Sequence, residues 1–371
     1  MSDASNATSV KALFKPFTTG SLQVANRIVM APMTRGFSPN GVPGEDVAAY
    51  YRRRAENGVG LIVTEGTVIN HPAASAGPNC PHFHGEAALG GWSNVVKEVH
   101  EAGGKIIPQL WHVGLTRKPG DLPNPEALPI GPSGLNLSGE KITEPLTENE
   151  IGDVIAAYGQ AAADAARIGF DGIELHGAHG YLIDQFFWGK TNQRTDRFGG
   201  DLAARTRFAV EVIQSCRRAV GPDFPIVLRF SQWKAGYYEA KLAESPQQLE
   251  QFLRPLADAG VDVFHCSTRR YWEPEFQDSN LNLAGWTKKL AGKPTITVGS
   301  VGLDNEFGSS KGYNAQPAVL NSLIERLENG EFDLVAVGRA LLADPAWSAK
   351  IRGNRTEELL SFEPSATQTL F

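Results

Sequence analysis

Cysteine is scarce in this sequence. Cys80, Cys216 and Cys266 lie far apart, odd in number and without a CxxC spacing. Neither a zinc site nor an iron–sulfur cluster is signalled, and the thiols read as free groups in a reducing compartment. No apolar run approaches the length of a membrane span. A basic excess is lacking too. Against 41 acidic residues stand 35 Lys and Arg, a net charge of −6, which argues against nucleic acid or an anionic membrane surface as partner. The triplet Arg52-Arg53-Arg54 falls in a helical pattern and reads as a solvated helix face. The opening MSDASNATSV has no basic start and no apolar core, so it reads as a disordered tail rather than a signal peptide. The expectation is a cytoplasmic, soluble protein.

What the chain does have is a rhythm. Short apolar runs at 27–30, 61–64, 105–110, 172–175, 225–229, 261–265, 294–298 and 332–337 alternate with helical patterns. Continuous apolar runs suit strands buried on both faces, and alternation with helices implies a parallel sheet. Helix starts are marked by a capping box at Thr147 with Glu150, and by Ser245 with proline following. A GxGxxG fingerprint after the first run is missing, which weighs against an open doubly wound sheet. The prediction is a single (β/α)8 TIM barrel, α/β in class, with a short N-terminal hairpin near 20–24. Residues 1–12 are expected as a tail, 13–360 as the barrel and 361–371 as a C-terminal tail. The Pro- and Gly-rich stretch 117–144 after the third strand is too long for an ordinary connection and reads as a functional insertion or lid.

Barrels of this kind place their chemistry at the C-terminal strand ends. The fourth run breaks into His176-Gly-Ala-His179-Gly-Tyr181, a polar cluster useless for packing but suited to donating and relaying protons. Other exits carry Thr34, Gly66, Gln109 with Trp111, Arg229, Gly299 with Ser300, and Gly338 with Arg339. Singly each has a bland explanation: Thr34 as a turn cap, Gln109 satisfying a backbone group, Arg229 paired with Glu174. Their convergence at one end of a barrel favours a site. Gly-Ser and Gly-Arg after the last two strands match a phosphate anchor, and Gln109 with Arg229 would then read the ring system its bearer carries. Those demands fit a flavin whose N1–C2=O region becomes anionic on reduction.

From Leu13 to Arg352 the sequence resembles the Old Yellow Enzyme family, the FMN-dependent ene-reductases (NADH:flavin oxidoreductases). The matching motifs are LFKPFTTGSLQVANRIVMAPMTR, LIVTEGT, PQLWHVG, ARIGFDGIELHGAHGYLIDQF, TNQRTDRFGG, TVGSVGL and VAVGRALLADP. The resemblance implies FMN as cofactor and NADH or NADPH as reductant. Pro32, Met33, Thr34, Gly66, Gln109 and Arg229 would hold the flavin ring and ribityl chain; Gly299, Ser300, Gly338 and Arg339 would hold the phosphate. His176 and His179 would grip the oxygen of a small enone or nitro substrate, Tyr181 would be the proton donor, and Trp111 would shape the pocket. Many family members carry asparagine at the position of His179, and many read Leu-Ser-Pro where this chain has Phe187-Trp188-Gly189. The aromatic sixth loop, with Tyr271 and Trp272, is expected either as a substrate-binding wall or as cover for a barrel edge. The state expected is monomer or homodimer. Two rivals stay open: a metal-dependent hydrolase or aldolase using His112, His176 and His179, and a flavin-binding barrel without turnover.

Overall fold

Side-chain parity explains how this chain closes on itself. The computed structural model describes residues 9–308 and 313–371. A hairpin of β1 (Phe17–Thr19) and β2 (Leu22–Val24) comes first. The barrel strands follow: β3 (Ile28–Met30), β4 (Leu61–Val68), β5 (Ile106–Trp111), β6 (Ile173–His179), β7 (Ile226–Lys234), β8 (Val263–Ser267), β9 (Thr295–Val298) and β10 (Leu334–Val337). They pair in chain order, all parallel, and β10 returns to β3 to close the barrel. Inward positions such as Val29, Val63, Val227, Val263 and Ala336 form one apolar cluster. Alternate positions such as Ile28, Ile62, Leu228 and Phe264 pack outward under the helices. Leu22 and Val24 join the inward cluster, so the hairpin stoppers one end and the other is left for a site.

The helices are α1 (Glu45–Glu56), α2 (Glu86–Glu101), α3 (Glu148–Arg167), α4 (Leu182–Phe187), α5 (Arg207–Val220), α6 (Pro246–Ala259), α7 (Leu283–Ala291), α8 (Asn321–Glu328), α9 (Arg339–Ala343) and α10 (Trp347–Arg352). The capping box that opens α3 is made in both directions: Glu150 N–H donates to Thr147 Oγ1 at 3.3 Å, and Thr147 N–H to Glu150 Oε2 at 2.8 Å. Ser245 caps α6 through Gln248 N–H at 3.2 Å. Among the described residues no helix is long and apolar enough to cross a membrane.

Several expectations shift. Strands β4 and β7 run past residues 64 and 229, because most of their later polar side chains are buried and hydrogen-bonded. Gln232, for instance, accepts from Leu242 and Ala243 N–H and donates to Ala243 C=O. Arg54 is no solvated face. It is fully buried over the Tyr50 ring, donates to the Leu341 and Tyr50 carbonyls, and is pushed down to about 10 by that burial. The 117–144 loop wraps around Arg117, which donates to the Ala127, Asp121 and Asn124 carbonyls. At the ends, Ala12 is buried within a short 3-10 turn. Residues 361–371, set apart as a tail, pack on the barrel: Arg35 Nη2 holds the Thr367 and Thr369 carbonyls at 3.0 and 2.8 Å.

Candidate functional site

A cavity of about 630 Å³ opens at the C-terminal ends of the strands. Pro32, Met33, Thr34, Gly66, Gln109, Trp111, His176, His179, Tyr181, Arg229, Gly299, Ser300, Gly338 and Arg339 all line it. The sixth loop, expected as a wall or as edge cover, contributes its start, Ser267 to Arg269, to the lining; sequence reasoning missed Trp233, Ala235, and Phe362, Pro364 and Thr367 from the C-terminal segment, which line it too. Tyr271 and Trp272 do not line it, and neither does any residue of 117–144, all of them described. The chain turns at Tyr271, whose N–H donates to Gly299 C=O at 3.1 Å and whose carbonyl accepts from Asn282 at 2.8 Å; its ring is buried in the core under the helices, and Trp272 is exposed. His112 is also elsewhere. It is buried against His71, ring nitrogens 3.1 Å apart, so it does not join His176 and His179 as a third ligand.

The polar wall comes from the exit of β6. Its register against β7 slips between Gly177 and His179, and His179 adopts a left-handed backbone with φ 65°. That unfavourable conformation for a non-glycine residue is held on both sides. His179 N–H donates to Ser231 Oγ at 2.9 Å, and Ala235 N–H donates to His179 C=O at 3.1 Å. Gly180 N–H donates to Asp184 Oδ2 at 2.7 Å, and Asp184 Oδ1 lies 3.0 Å from Lys234 Nζ in a fully buried ion pair. Tyr181, the N-cap of α4, is thereby fixed over the cavity.

Burial first, and then the Arg229 cation, hold both imidazoles well below the usual histidine range, so each is neutral at pH 7. His176 Nδ1 accepts the Ala178 N–H at 3.4 Å, which puts its own proton on Nε2. His179 stacks on Trp233, centroids 4.3 Å apart, and its Nε2 is 2.8 Å from Ser267 Oγ. Burial raises the Tyr181 phenol above its ordinary value, and it stays protonated. Trp111 meets Tyr181 edge-on at 4.9 Å.

Opposite chemistry faces them. Gln109 Nε2 donates to Glu174 Oε1 at 2.8 Å, leaving a carbonyl oxygen and one N–H for a ligand. Arg229 is buried with Nε unpartnered, its Nη2 a long 3.4 Å from Ser267 Oγ. A buried guanidinium with an unmet donor marks a place where a polar group belongs. At the far exits a Cβ on Gly299 would stand 2.7 Å from the Thr268 carbonyl, and one on Gly66 would stand 2.6 Å from the Trp111 ring, so only glycine serves at either position. Ser300 Oγ donates to the Arg269 carbonyl at 2.9 Å, and Arg339 approaches it from α9 at 3.4 Å. The donor set fits FMN: an amide and a guanidinium suit the pyrimidine edge, and a second arginine between glycines suits the phosphate.

Fold and cavity together define a flavin-dependent barrel oxidoreductase. The family model described as NADH:flavin oxidoreductase / NADH oxidase matches residues 12–358, and the chain belongs to that family. It is accordingly an NAD(P)H-dependent flavin oxidoreductase of the Old Yellow Enzyme type, with FMN as cofactor. It is 34% identical to an NADH oxidase of Thermoanaerobacter brockii over 94% of this chain, but spans only 52% of that longer protein. To 12-oxophytodienoate reductase 7 of Oryza sativa subsp. japonica it is 32% identical, over 92% of this chain and 88% of the relative. Morphinone reductase, solved in complex with tetrahydroNAD, superposes with a TM-score of 0.80 at 28% identity, covering 96% of this chain and 93% of that one.

Proposed function

We propose that this chain reduces the C=C bond of activated alkenes, α,β-unsaturated carbonyl and nitro compounds, in a ping-pong cycle with NADH or NADPH as reductant. The observation that carries this reading is one wall holding two neutral imidazoles and one protonated phenol. When bound, FMN supplies the hydride relay between nicotinamide and alkene. Gln109 and Arg229 hold its pyrimidine edge. Pro32, Met33, Thr34 and Gly66 flank its ring, and Gly299, Ser300, Gly338 and Arg339 hold its phosphate.

His176 presents Nε2–H to the substrate oxygen, and His179 adds a second N–H once the ligand competes with Ser267. Two donors on that oxygen stabilise the enolate-like charge developing as Cβ is reduced. Tyr181 then delivers its proton to Cα. Trp111 and Trp233 shape the walls, and the shape of the pocket between them sorts substrates. A steady-state screen with cyclohexenone, a maleimide, a nitroalkene and a nitrate ester, against both nicotinamides, tests the reading by product analysis. Saturated products from the alkenes are expected. Nicotinamide oxidation that yields only reduced oxygen and leaves every alkene intact contradicts it.

A further inference from the structure

Glu174 is an acid that the reaction above does not use. It is fully buried at an inward position of β6, where its register partner Val227 belongs to the apolar cluster inside the barrel. Its carboxylate is held at both oxygens: Oε1 accepts from Gln109 Nε2 at 2.8 Å, and Oε2 lies 2.7 Å from Nδ1 of the fully buried His265. Parity and register gather these groups. Gln109 on β5 pairs with Glu174 on β6, and Arg229 on β7 pairs with His265 on β8. A carboxylate only accepts, so His265 carries its proton on Nδ1, and the Gln109 amide cannot flip. Its carbonyl oxygen and second N–H are left for the cavity. His265 Nε2 and Arg229 Nε are both buried without partners.

We propose that Glu174, oriented by His265, is a positioning residue that fixes which end of the Gln109 amide meets the flavin and partly offsets the Arg229 charge, so lowering the flavin reduction potential. The proposal rests on the placement of the flavin's pyrimidine edge at Gln109 and Arg229 given above. Its physics is short. Reduction adds negative charge to that edge, and Arg229 favours the added charge. A buried carboxylate among the same side chains weakens that preference, because little solvent screens it. Burial lowers the Arg229 pKa and the Glu174 charge opposes that fall, so the two side chains are electrostatically coupled. A lower potential makes the reduced flavin a stronger donor to an alkene.

The test is equilibrium redox titration of the FMN-loaded protein against a reference dye, with FMN dissociation measured alongside. Glu174→Gln is expected to raise the midpoint potential. Glu174→Asp keeps the charge but shortens the reach to Gln109, so the potential holds near wild type while FMN binding weakens. An unmoved potential in Glu174→Gln, or an equal rise in both variants, overturns the proposal. Arg229→Met separates the two layers of the argument. If it changes neither potential nor FMN binding, the ring placement itself fails; if it lowers the potential while Glu174→Gln is silent, only the role of Glu174 fails. Should Glu174→Gln not retain flavin, His265→Leu, which has no donor for the carboxylate, reads the device from its other end. Oε2 is then released, more of the charge faces Arg229 and the potential falls; no change overturns the proposal.

Discussion

The rings of His176 and Tyr181 meet edge to face, centroids 4.9 Å apart and planes at 77°. Five positions apart in the chain, they are brought together by the slipped register at the end of β6 and the turn into α4. A hydrogen-bond donor and an acid are thus presented together, which is what polarising a carbonyl and protonating the neighbouring carbon requires. Tyr181→Phe is therefore expected to slow flavin reoxidation by an enone by about 10²–10⁴-fold, the usual range for a general acid. Reduction by nicotinamide is expected to change little, and anaerobic stopped-flow of the two half-reactions separates them.

The two histidines are not equivalent. His176 keeps Nε2–H for the cavity, whereas His179 Nε2 already has Ser267 within 2.8 Å. A phenol that mimics the enolate should lose more affinity in His176→Ala than in His179→Ala. A hydrogen bond to a charged oxygen contributes about 1.5–3 kcal/mol, so roughly ten- to hundredfold is expected for His176. Titration of the flavin spectrum with a substituted phenol measures it.

Beneath that wall the Asp184–Lys234 pair is closed off from water. Removing one partner strands the other, a loss of about 3–5 kcal/mol in buried pairs. Asp184→Asn and Lys234→Met should each lower urea stability strongly, and the double variant should lose clearly less than the two losses added. Additive losses would show the charges to be independent.

Glu65 sets a pH dependence. Burial pushes its carboxyl up to about 7, and the Arg35 and Gly36 N–H groups it accepts do not reverse this. A carboxyl raised on folding binds its proton more tightly in the native state. Its contribution is therefore complete below the unfolded pKa near 4.5 and is lost as pH rises to about 7. The loss is on the order of 3 kcal/mol at most. Glu65→Gln should flatten the fall in urea stability between these limits, as chemical denaturation at a series of pH values will show.

The barrel was legible because its strands are buried on both faces, so each stands out as an apolar run. The exits were legible because polar groups have no reason to follow such runs. Inside the runs, Glu174 was read only as a partner for Arg229 and His265 was not singled out, although parity points to both: each shares the inward face with an exit residue, His176 or Ser267. Trp233 was lost because β7 continues through polar residues whose partners, such as Leu242 and Ala243 for Gln232, come from a separate turn. Tyr271 and Trp272 invited the reading of a pocket wall by their aromaticity alone. The C-terminal segment depends on Arg35, more than 300 positions away, and no local pattern encodes that contact.

The most direct measurement is a double-mixing experiment without oxygen on the FMN-loaded protein. NADH or NADPH should bleach the flavin absorbance, and cyclohexenone should restore it with one equivalent of cyclohexanone formed per flavin. A flavin that is bleached by nicotinamide but restored only by oxygen, with the enone recovered unchanged, would contradict alkene reduction at this site.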